Sequence, residues 1–378
     1  MAAMIDVVVP VFRGLDATRR CLDSVLAAPV RVPMHVLVVD DASPDPAITA
    51  HLDTLAAAGR VELVRNAQNL GFVGAANVGM ARHPDRDVVL LNSDTEVAND
   101  WLDRLAACAN REPRIGTVTP FSNQATICSY PFEGWTGGIP GSLGLAALDR
   151  LFAAVNAGRS HELPTAVGFC MYVRRACLDA VGPFDAQRFG RGYGEENDFC
   201  LRAAQAGWHN VLAADVFVFH EGAVSFATER NALMEAAGRA LVERHPHYPQ
   251  LVAAFVVADP LRAFRAAVDA ARRSHSFEEA AHVHEECVLQ CDALRSQLAQ
   301  CAGARDALGR ETSALREALA HAESLVHARD AELKRLAAAF AHAESLALER
   351  ARQIERINAT PLGKLARYLA RTPTSEPR

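Results

Sequence analysis

Four short aliphatic runs, separated by helical patterns, fill the N-terminal part of the chain and set its fold class. They are Ile5-Asp6-Val7-Val8-Val9, Val36-Leu37-Val38-Val39, Val61-Glu62-Leu63-Val64 and Val88-Val89-Leu90-Leu91. Runs this short and apolar read as strands buried on both faces of a parallel sheet. Helical patterns over Thr18 to Ala27, Pro46 to Ala58 and about Gly74 to Ala81 lie between them. This βαβα order predicts an α/β fold, with a mostly parallel sheet flanked by helices.

The fourth run ends abruptly on Asn92-Ser93-Asp94. In open α/β sheets ligands sit outside the carboxyl ends of the strands, so a polar cluster there reads as a site. A hard divalent cation needs oxygen ligands, and Asp94 can supply one while substrate phosphates supply others. The alternative is that Asp94 caps the next helix, a position Asp favours.

At 378 residues the chain is long enough for one large domain with an appendage, or for two domains. Its formal net charge of -6 argues against a broad electrostatic grip on nucleic acid, though a small metal-assisted nucleotide pocket needs no basic surface. The nine cysteines form no CxxC pair and no zinc-type spacing, and Cys170, Cys177 and Cys200 sit in apolar stretches as small core residues. That usage fits a reducing compartment. Met4 to Val11 already reads as a strand rather than a leader, and no apolar stretch approaches the roughly 20 residues that span a bilayer. The expectation is a cytoplasmic protein, able to touch a membrane peripherally from that side.

From Phe121 to Pro164 the text turns to Gly, Pro, Ser and isolated aromatics, the composition of long loops over a sheet. Strand and helix signals resume at Val167 and run to His220, and from about Arg230 the chain is Ala-rich and helical. A single heptad register then fits Cys287 to Ile357, with Leu294, Leu298, Leu308, Leu315, Leu319, Val326, Leu333, Leu336, Phe340, Ile354 and Ile357 in core positions. Counting Ala and Cys as apolar, its core exceptions are Arg305, Thr312, Arg329 and Arg350, and AHAESL recurs at Ala320 and Ala341. A strict seven-residue repeat of this length predicts a left-handed coiled coil and a homo-oligomer. The alternative is one long helix folded back on the globular domain. The domain boundaries expected are 1–245 for the globular domain, 246–282 for a helical linker, 283–358 for the coil and 359–378 for a basic amphipathic tail. In that tail Leu362, Leu365, Ala366 and Leu369 share a helical face beside Lys364, Arg367 and Arg371. Such a helix can lie on an anionic membrane surface, and a frayed charged end is the plainer reading.

Other clusters accompany Asn92-Ser93-Asp94. Pro10-Val11-Phe12 ends the first strand, and Asp40-Asp41-Ala42-Ser43 ends the second. Two carboxylates at a sheet edge can bond a nucleobase or ribose, or simply form an Asx turn into Pro44. Asn69-Leu70-Gly71-Phe72-Val73-Gly74-Ala75-Ala76-Asn77 lets backbone approach a ligand ahead of a helix, yet matches neither a dinucleotide fingerprint nor a Walker loop. Gly194-Glu195-Glu196-Asn197-Asp198 crowds three acids into a helix start followed by the apolar Phe199, Cys200 and Leu201. One of them can act as a general base, or all can merely suit the helix dipole. Val216-Phe217-Val218-Phe219-His220 is a further strand ending in a polar group, and a neutral imidazole can ligate a metal.

The texts VVVPVF, VLVVDDAS, NLGFVGAANVG, LLNSDTEV, VGFCMYVRR, VGPFD, GEENDFCLRAAQAGW and HEGAVSF, in that order over about residues 4 to 226, resemble family 2 glycosyltransferases of the rhamnosyltransferase-like kind. The resemblance implies the GT-A fold, a nucleotide-sugar donor and a divalent metal, Mn2+ or Mg2+. It implies that Asp40 and Asp41 bind the nucleoside, with Pro10, Phe12, Gly71, Asn77, Asn92 and Ser93 also on the donor side. Asp94 matches the last acid of the family's DxD metal motif, whose first acid is Asn92 here. Glu196 matches the base of the Glu-Asp pair and Glu195 its neighbour. The usual Asp is thus a Glu, and the base lies among Glu195, Glu196 and Asp198. His220 matches the histidine that completes metal coordination in some members. Trp135, Phe169, Cys170 and Tyr193 are acceptor-side candidates. The activity implied is inverting sugar transfer to a hydroxyl of a glycan, lipid-linked or protein acceptor, as in polysaccharide and cell-envelope biosynthesis. Two other classes stand beside it: a degraded head serving as a coiled-coil scaffold, which the Asn92 and Glu196 departures favour, and a nucleotidyltransferase, for which Pro10-Val11-Phe12-Arg13-Gly14 is a poor phosphate loop.

Overall fold

The computed structural model describes residues 4–190, 192–222 and 227–359. Arg191, residues 223–226 of the histidine motif, and the amphipathic tail from residue 360 lie outside the described residues. Strands β1 (Ile5–Val11), β2 (Met34–Asp40), β3 (Glu62–Arg65) and β4 (Asp87–Leu91) alternate with helices α1 (Leu15–Ala27), α2 (Pro46–Ala57) and α3 (Gly71–Met80). Next come β5 (Thr95–Glu96), α4 (Trp101–Ala109), β6 (Ile115–Ser122), α5 (Leu145–Val155), β7 (Ser160–Leu163) and β8 (Cys170–Val173). Then follow α6 (Arg175–Val181), α7 (Ala186–Phe189), α8 (Glu195–Gln205) and β9 (His209–His220). Helices α9 (Ala227–Arg244), α10 (Tyr248–Ala258), α11 (Arg262–His275) and α12 (Phe277–Ala359) complete the described chain.

The sheet has the order β3-β2-β1-β4-β8-β6-β9-β5, with β7 paired to β9. β3, β2, β1 and β4 are mutually parallel, and β8 runs antiparallel to both β4 and β6. Strand periodicity divides the aliphatic residues between two cores. Val7, Val9, Val36, Val38, Val89 and Leu91 face one side with Trp101 and Phe152. Val8, Leu37, Val39, Val88 and Leu90 face the other with Phe184 and Phe199. Both faces are covered, which is why the strands read as unbroken apolar text. Gly79 of α3 lies against Val8, where an added Cβ would overlap Val8 Cγ1. The missing side chain is what lets α3 approach β1 so closely. Because β1, β2 and β4 are parallel, Phe12, Asp40-Asp41 and Asn92 to Asp94 all emerge at one rim.

The C-terminal boundaries differ from the sequence reading. Residues 246–282 are helical but form no linker, since Leu261, Phe264 and Val268 are buried in the sheet's first core. Arg272 is fully buried and anchors the start of α12: its Nε lies 2.8 Å from Glu279 Oε2, and its Nη1 and Nη2 lie 2.6 and 2.9 Å from the Glu286 carboxylate. Glu279 in turn accepts a 2.6 Å bond from the Ser142 amide. Val283 is buried with them, so the first compact unit extends to Cys291. The alternation pattern gave no hint of this because Ala-rich amphipathic helices read alike whether they pack on a sheet or on each other. The second unit begins at Asp292, and its described part is the helix to Ala359. Along it the heptad residues from Leu294 to Ile354 are open to solvent, with Leu298 72% and Phe340 68% exposed. Among the described residues no helix is long and apolar enough to cross a membrane.

Candidate active site

Beyond β4 the chain turns at once. The Thr95 amide and hydroxyl donate to the Asn92 carbonyl at 3.2 and 2.7 Å. That turn starts β5, which pairs with the end of β9 so that Thr95 stands opposite His220. Asp94 Oδ1 therefore comes within 3.4 Å of His220 Nε2. His220 Nδ1 is 2.9 Å from the Gln124 carbonyl. A carbonyl only accepts, so Nδ1 donates, and in the neutral ring Nε2 turns its lone pair toward Asp94. A carboxylate and an imidazole lone pair so placed are drawn together by a proton or a cation. The Phe169 ring stacks on the imidazole at 5.3 Å between centroids and 19° between planes. Asn123 fixes the strand end, accepting from the His220 amide at 2.8 Å and donating to its carbonyl at 2.9 Å. Asn92 Oδ1 is buried without a hydrogen-bond partner. An acid and an imidazole nitrogen facing each other, two residues along from a buried oxygen without a partner, make a donor set that suits a divalent cation.

The acids after β2 have structural partners. Asp41 is buried; its Oδ1 accepts from the Leu70 amide and Asn66 Nδ2, both at 2.8 Å, and its Oδ2 from the Gly71 amide at 2.9 Å. This remote carboxylate satisfies orphan amides at the start of α3, so the helix begins at Gly71 rather than near Gly74. Asp40 accepts from the Ser43 amide at 2.9 Å and lies 3.2 Å from Arg65 Nε. Asn77 is committed elsewhere: it donates to the Phe184 carbonyl at 2.9 Å and accepts from the Phe184 amide at 3.0 Å, so a donor-binding role does not suit it. Pro10 is buried within β1, while Phe12 is half-buried at the rim under the Arg13 guanidinium, 5.0 Å from the ring centroid. Ser93 is half-buried in the turn itself.

The three acids of α8 have three different fates. Asp198 is fully buried and held by two arginines and a histidine, with Arg202 Nε at 2.7 Å, His245 Nε2 at 2.9 Å and Arg244 Nη1 at 3.2 Å. So neutralised and enclosed, it fixes α8 against α9 and does not suit a general base. Glu195 is 4% exposed, and its Oε2 has no partner. Burial, with the neighbouring Glu196, pushes its carboxyl well above the ordinary range. Glu196 is half-buried, and burial raises its carboxyl too. Tyr248 of α10 is pushed up to about 12 by burial and by Glu196. Gly168 abuts Glu196, a Cβ there meeting Glu196 Cγ at 3.5 Å. The next residue, Phe169, stacks on His220 and accepts at its carbonyl from the Asn92 amide at 2.8 Å. The Gly168-Phe169 segment leading into β8 thus has Glu196 on one side and the Asp94–His220 pair on the other.

Glu195 yields a stability prediction. Its folded form resists ionisation, so the folded state binds more protons than the unfolded one above the ordinary carboxylate value, and stability falls as pH rises through that window. Glu195→Gln removes the effect and raises stability at pH 7 by about 1–3 kcal/mol, a gain that shrinks toward pH 4. Thermal unfolding of both proteins across pH tests this, and a variant less stable than its parent at pH 7 contradicts it.

The acceptor-side candidates scatter. Cys170 is fully buried in β8 opposite Leu91 and cannot meet a substrate, because its place in the strand points it into the sheet's core. Phe169 is only 2% exposed and acts on His220. Trp135 is half-buried, edge-on to Phe132 at 5.2 Å. Tyr193 is half-buried with a φ of 71°, a left-handed conformation costly for a bulky side chain. Sequence reasoning passed over Asn123 and Gln124, which position His220. Their signal was the one used for Asp94, an apolar strand, β6, ending in polar residues.

The family model described as "Glycosyl transferase family 2" matches residues 6–182. This part of the chain belongs to that family. The globular unit has the GT-A fold of that family. Asp40, Asp41, Asn92, Asp94 and Phe169 fall inside the match, while Glu195, Glu196 and His220 follow it. Among solved structures the chain is similar to a mannosyltransferase from Pyrobaculum calidifontis in complex with GDP-Man and Mn2+, at 18% identity over 76% of this chain and 81% of that one, with a TM-score of 0.49. It is similar to GalNAc-T7 with UDP, GalNAc and Mn2+ at 17% identity over 71% and 55%, with a TM-score of 0.46. S. aureus TarS matches at 15% identity over 67% and 43%, with a TM-score of 0.43. No curated protein matches the chain.

Proposed function

We propose that the chain transfers a sugar, with inversion, from a nucleotide-diphosphate donor to a hydroxyl of a glycan, lipid-linked or protein acceptor. The observation carrying this reading is the Gly168-Phe169 segment, with Glu196 against one residue and His220, facing Asp94, against the other. Asp94, His220 and Asn92 Oδ1 would hold a divalent cation, Mn2+ or Mg2+. When bound, such a cation stabilises negative charge on the departing nucleoside diphosphate. Asp41 holds the Leu70-Gly71 loop in place, and with Asp40, Pro10, Phe12 and Ser93 it lines the donor side of the rim. Glu196 takes the proton of the acceptor hydroxyl as that oxygen attacks the anomeric carbon. The diphosphate leaves from the opposite face, so a single displacement inverts the configuration, as in inverting glycosidases where one carboxylate activates the nucleophile. Trp135 and Tyr193 are the half-buried aromatics assigned here to stack on acceptor sugar faces. Acceptors of polysaccharide or cell-envelope type, hexosyl or deoxyhexosyl donors and a cytoplasmic, membrane-peripheral location complete the reading.

A thermal-shift screen of uridine-, guanosine- and thymidine-diphosphate sugars, with and without Mn2+, tests it. One nucleotide class should raise the melting temperature only with the metal. Transfer or hydrolysis of a labelled sugar then separates an enzyme from a scaffold with a degraded head. No donor-dependent shift in any combination overturns the reading.

The exposed heptad stripe of α12 supports self-association as a coiled coil. Sedimentation of the full chain should give a mass of at least two copies, and Leu319→Lys with Leu333→Lys should reduce it to one. A full chain that sediments as a single copy contradicts the coil.

A further inference from the structure

The opposite edge of the sheet carries a second constellation that sugar transfer does not use. There β1 and β2 begin side by side, with Asp6 paired to His35, and His83 follows α3. Asp6 is fully buried. Its Oδ2 lies 2.7 Å from His83 Nδ1 and its Oδ1 3.3 Å from His35 Nδ1. One ligand atom from each of these three residues falls within 4.8 Å of the others. From this geometry we infer a zinc-class divalent metal site formed by Asp6, His35 and His83, remote from the donor site.

Three features favour a cation over a simple ion-pair cluster. His35 Nδ1 is buried and forms no hydrogen bond despite its nearness to Asp6. His83 Nδ1 faces both the Asp6 carboxylate and, at 3.3 Å, the Arg86 guanidinium. A proton on that nitrogen suits Asp6 but opposes Arg86, and a lone pair suits Arg86 but opposes Asp6. A metal on the two Nδ1 atoms takes the lone pairs of both rings toward Asp6 without needing a proton on either, and Arg86 stays paired with Asp6 Oδ1, 3.0 Å away. On the far side of both rings, Glu62 Oε2 is 3.4 Å from His35 Nε2 and 3.6 Å from His83 Nε2. A carboxylate receiving the second N–H of each ligating histidine is the outer shell that fixes ring orientation at zinc sites. Arg82, 2.5 Å from Glu62 Oε1, holds that carboxylate in turn. Three protein ligands of N and O type leave a fourth position for water.

The site lies at the amino ends of strands whose carboxyl ends carry Asp94, so the two metals are separable by mutation. The full-length protein, stripped with chelator and reloaded with zinc alone, should retain about one equivalent after desalting, by elemental analysis. X-ray absorption at the zinc edge of that unmodified protein should show two imidazole nitrogens in a four-coordinate shell, a readout independent of any variant's folding. His83→Gln should abolish retention, Glu62→Gln should weaken zinc binding roughly 10–100-fold, and Asp94→Asn should change neither. No retained zinc, a shell without two imidazoles, or zinc lost in Asp94→Asn and kept in His83→Gln overturns the proposal.

Discussion

Glu196→Gln should lower turnover by a factor on the order of 10² or more while leaving donor affinity nearly unchanged. The substitution keeps size and burial but removes the basic oxygen, so only the proton-transfer step suffers. Burial raises both carboxyls of the Glu195–Glu196 pair. The base form therefore accumulates only as pH climbs above the ordinary carboxylate range. The parent's acidic limb in kcat/KM should sit correspondingly high and belong to the pair rather than to either residue alone. In Glu196→Gln that limb should vanish along with the rate. Steady-state kinetics with calorimetric donor binding checks both halves, and near-native turnover in the variant removes Glu196 from its role. Asp198→Asn provides a contrast: its arginine contacts predict a loss of stability rather than a specific loss of the proton-transfer step.

Asp94→Asn and His220→Ala should each weaken Mn2+-dependent binding of the nucleoside diphosphate by roughly 10–100-fold, with little effect on binding measured without metal. Asp94 is the only carboxylate in the Asn92-Ser93-Asp94 turn, so its charge has no local substitute. His220 contributes through Nε2 because Gln124 holds Nδ1. Titration calorimetry with and without Mn2+ separates the metal-linked part. Equal losses in both conditions would mean that these side chains hold the fold rather than the cation.

The parallel half of the sheet was legible because strands buried on both faces leave unbroken aliphatic text, and Asp94 stood out where that text stopped. Element boundaries slipped where the deciding group was remote. The start of α3 is set by Asp41, about thirty residues upstream, which no local helix rule detects. Asn77 resembled a ligand-loop residue but is bonded to Phe184 across the fold. The acids of α8 looked equivalent in sequence; only tertiary contacts distinguish a cation-bound Asp198 from a partnerless Glu195 oxygen. The helices after residue 246 were misread as a linker because their burial depends on Arg272 meeting Glu279 and Glu286 one and two heptads ahead. The heptad pattern is periodic whether or not such contacts form.

The most direct measurement is an anomalous difference map at the manganese edge from crystals grown with Mn2+ and a nucleoside diphosphate. The strongest peak should lie within coordination reach of the Asp94 carboxylate and His220 Nε2, with the diphosphate between that peak and Gly168. A peak elsewhere on the rim, or a diphosphate bound away from Glu196, would contradict it.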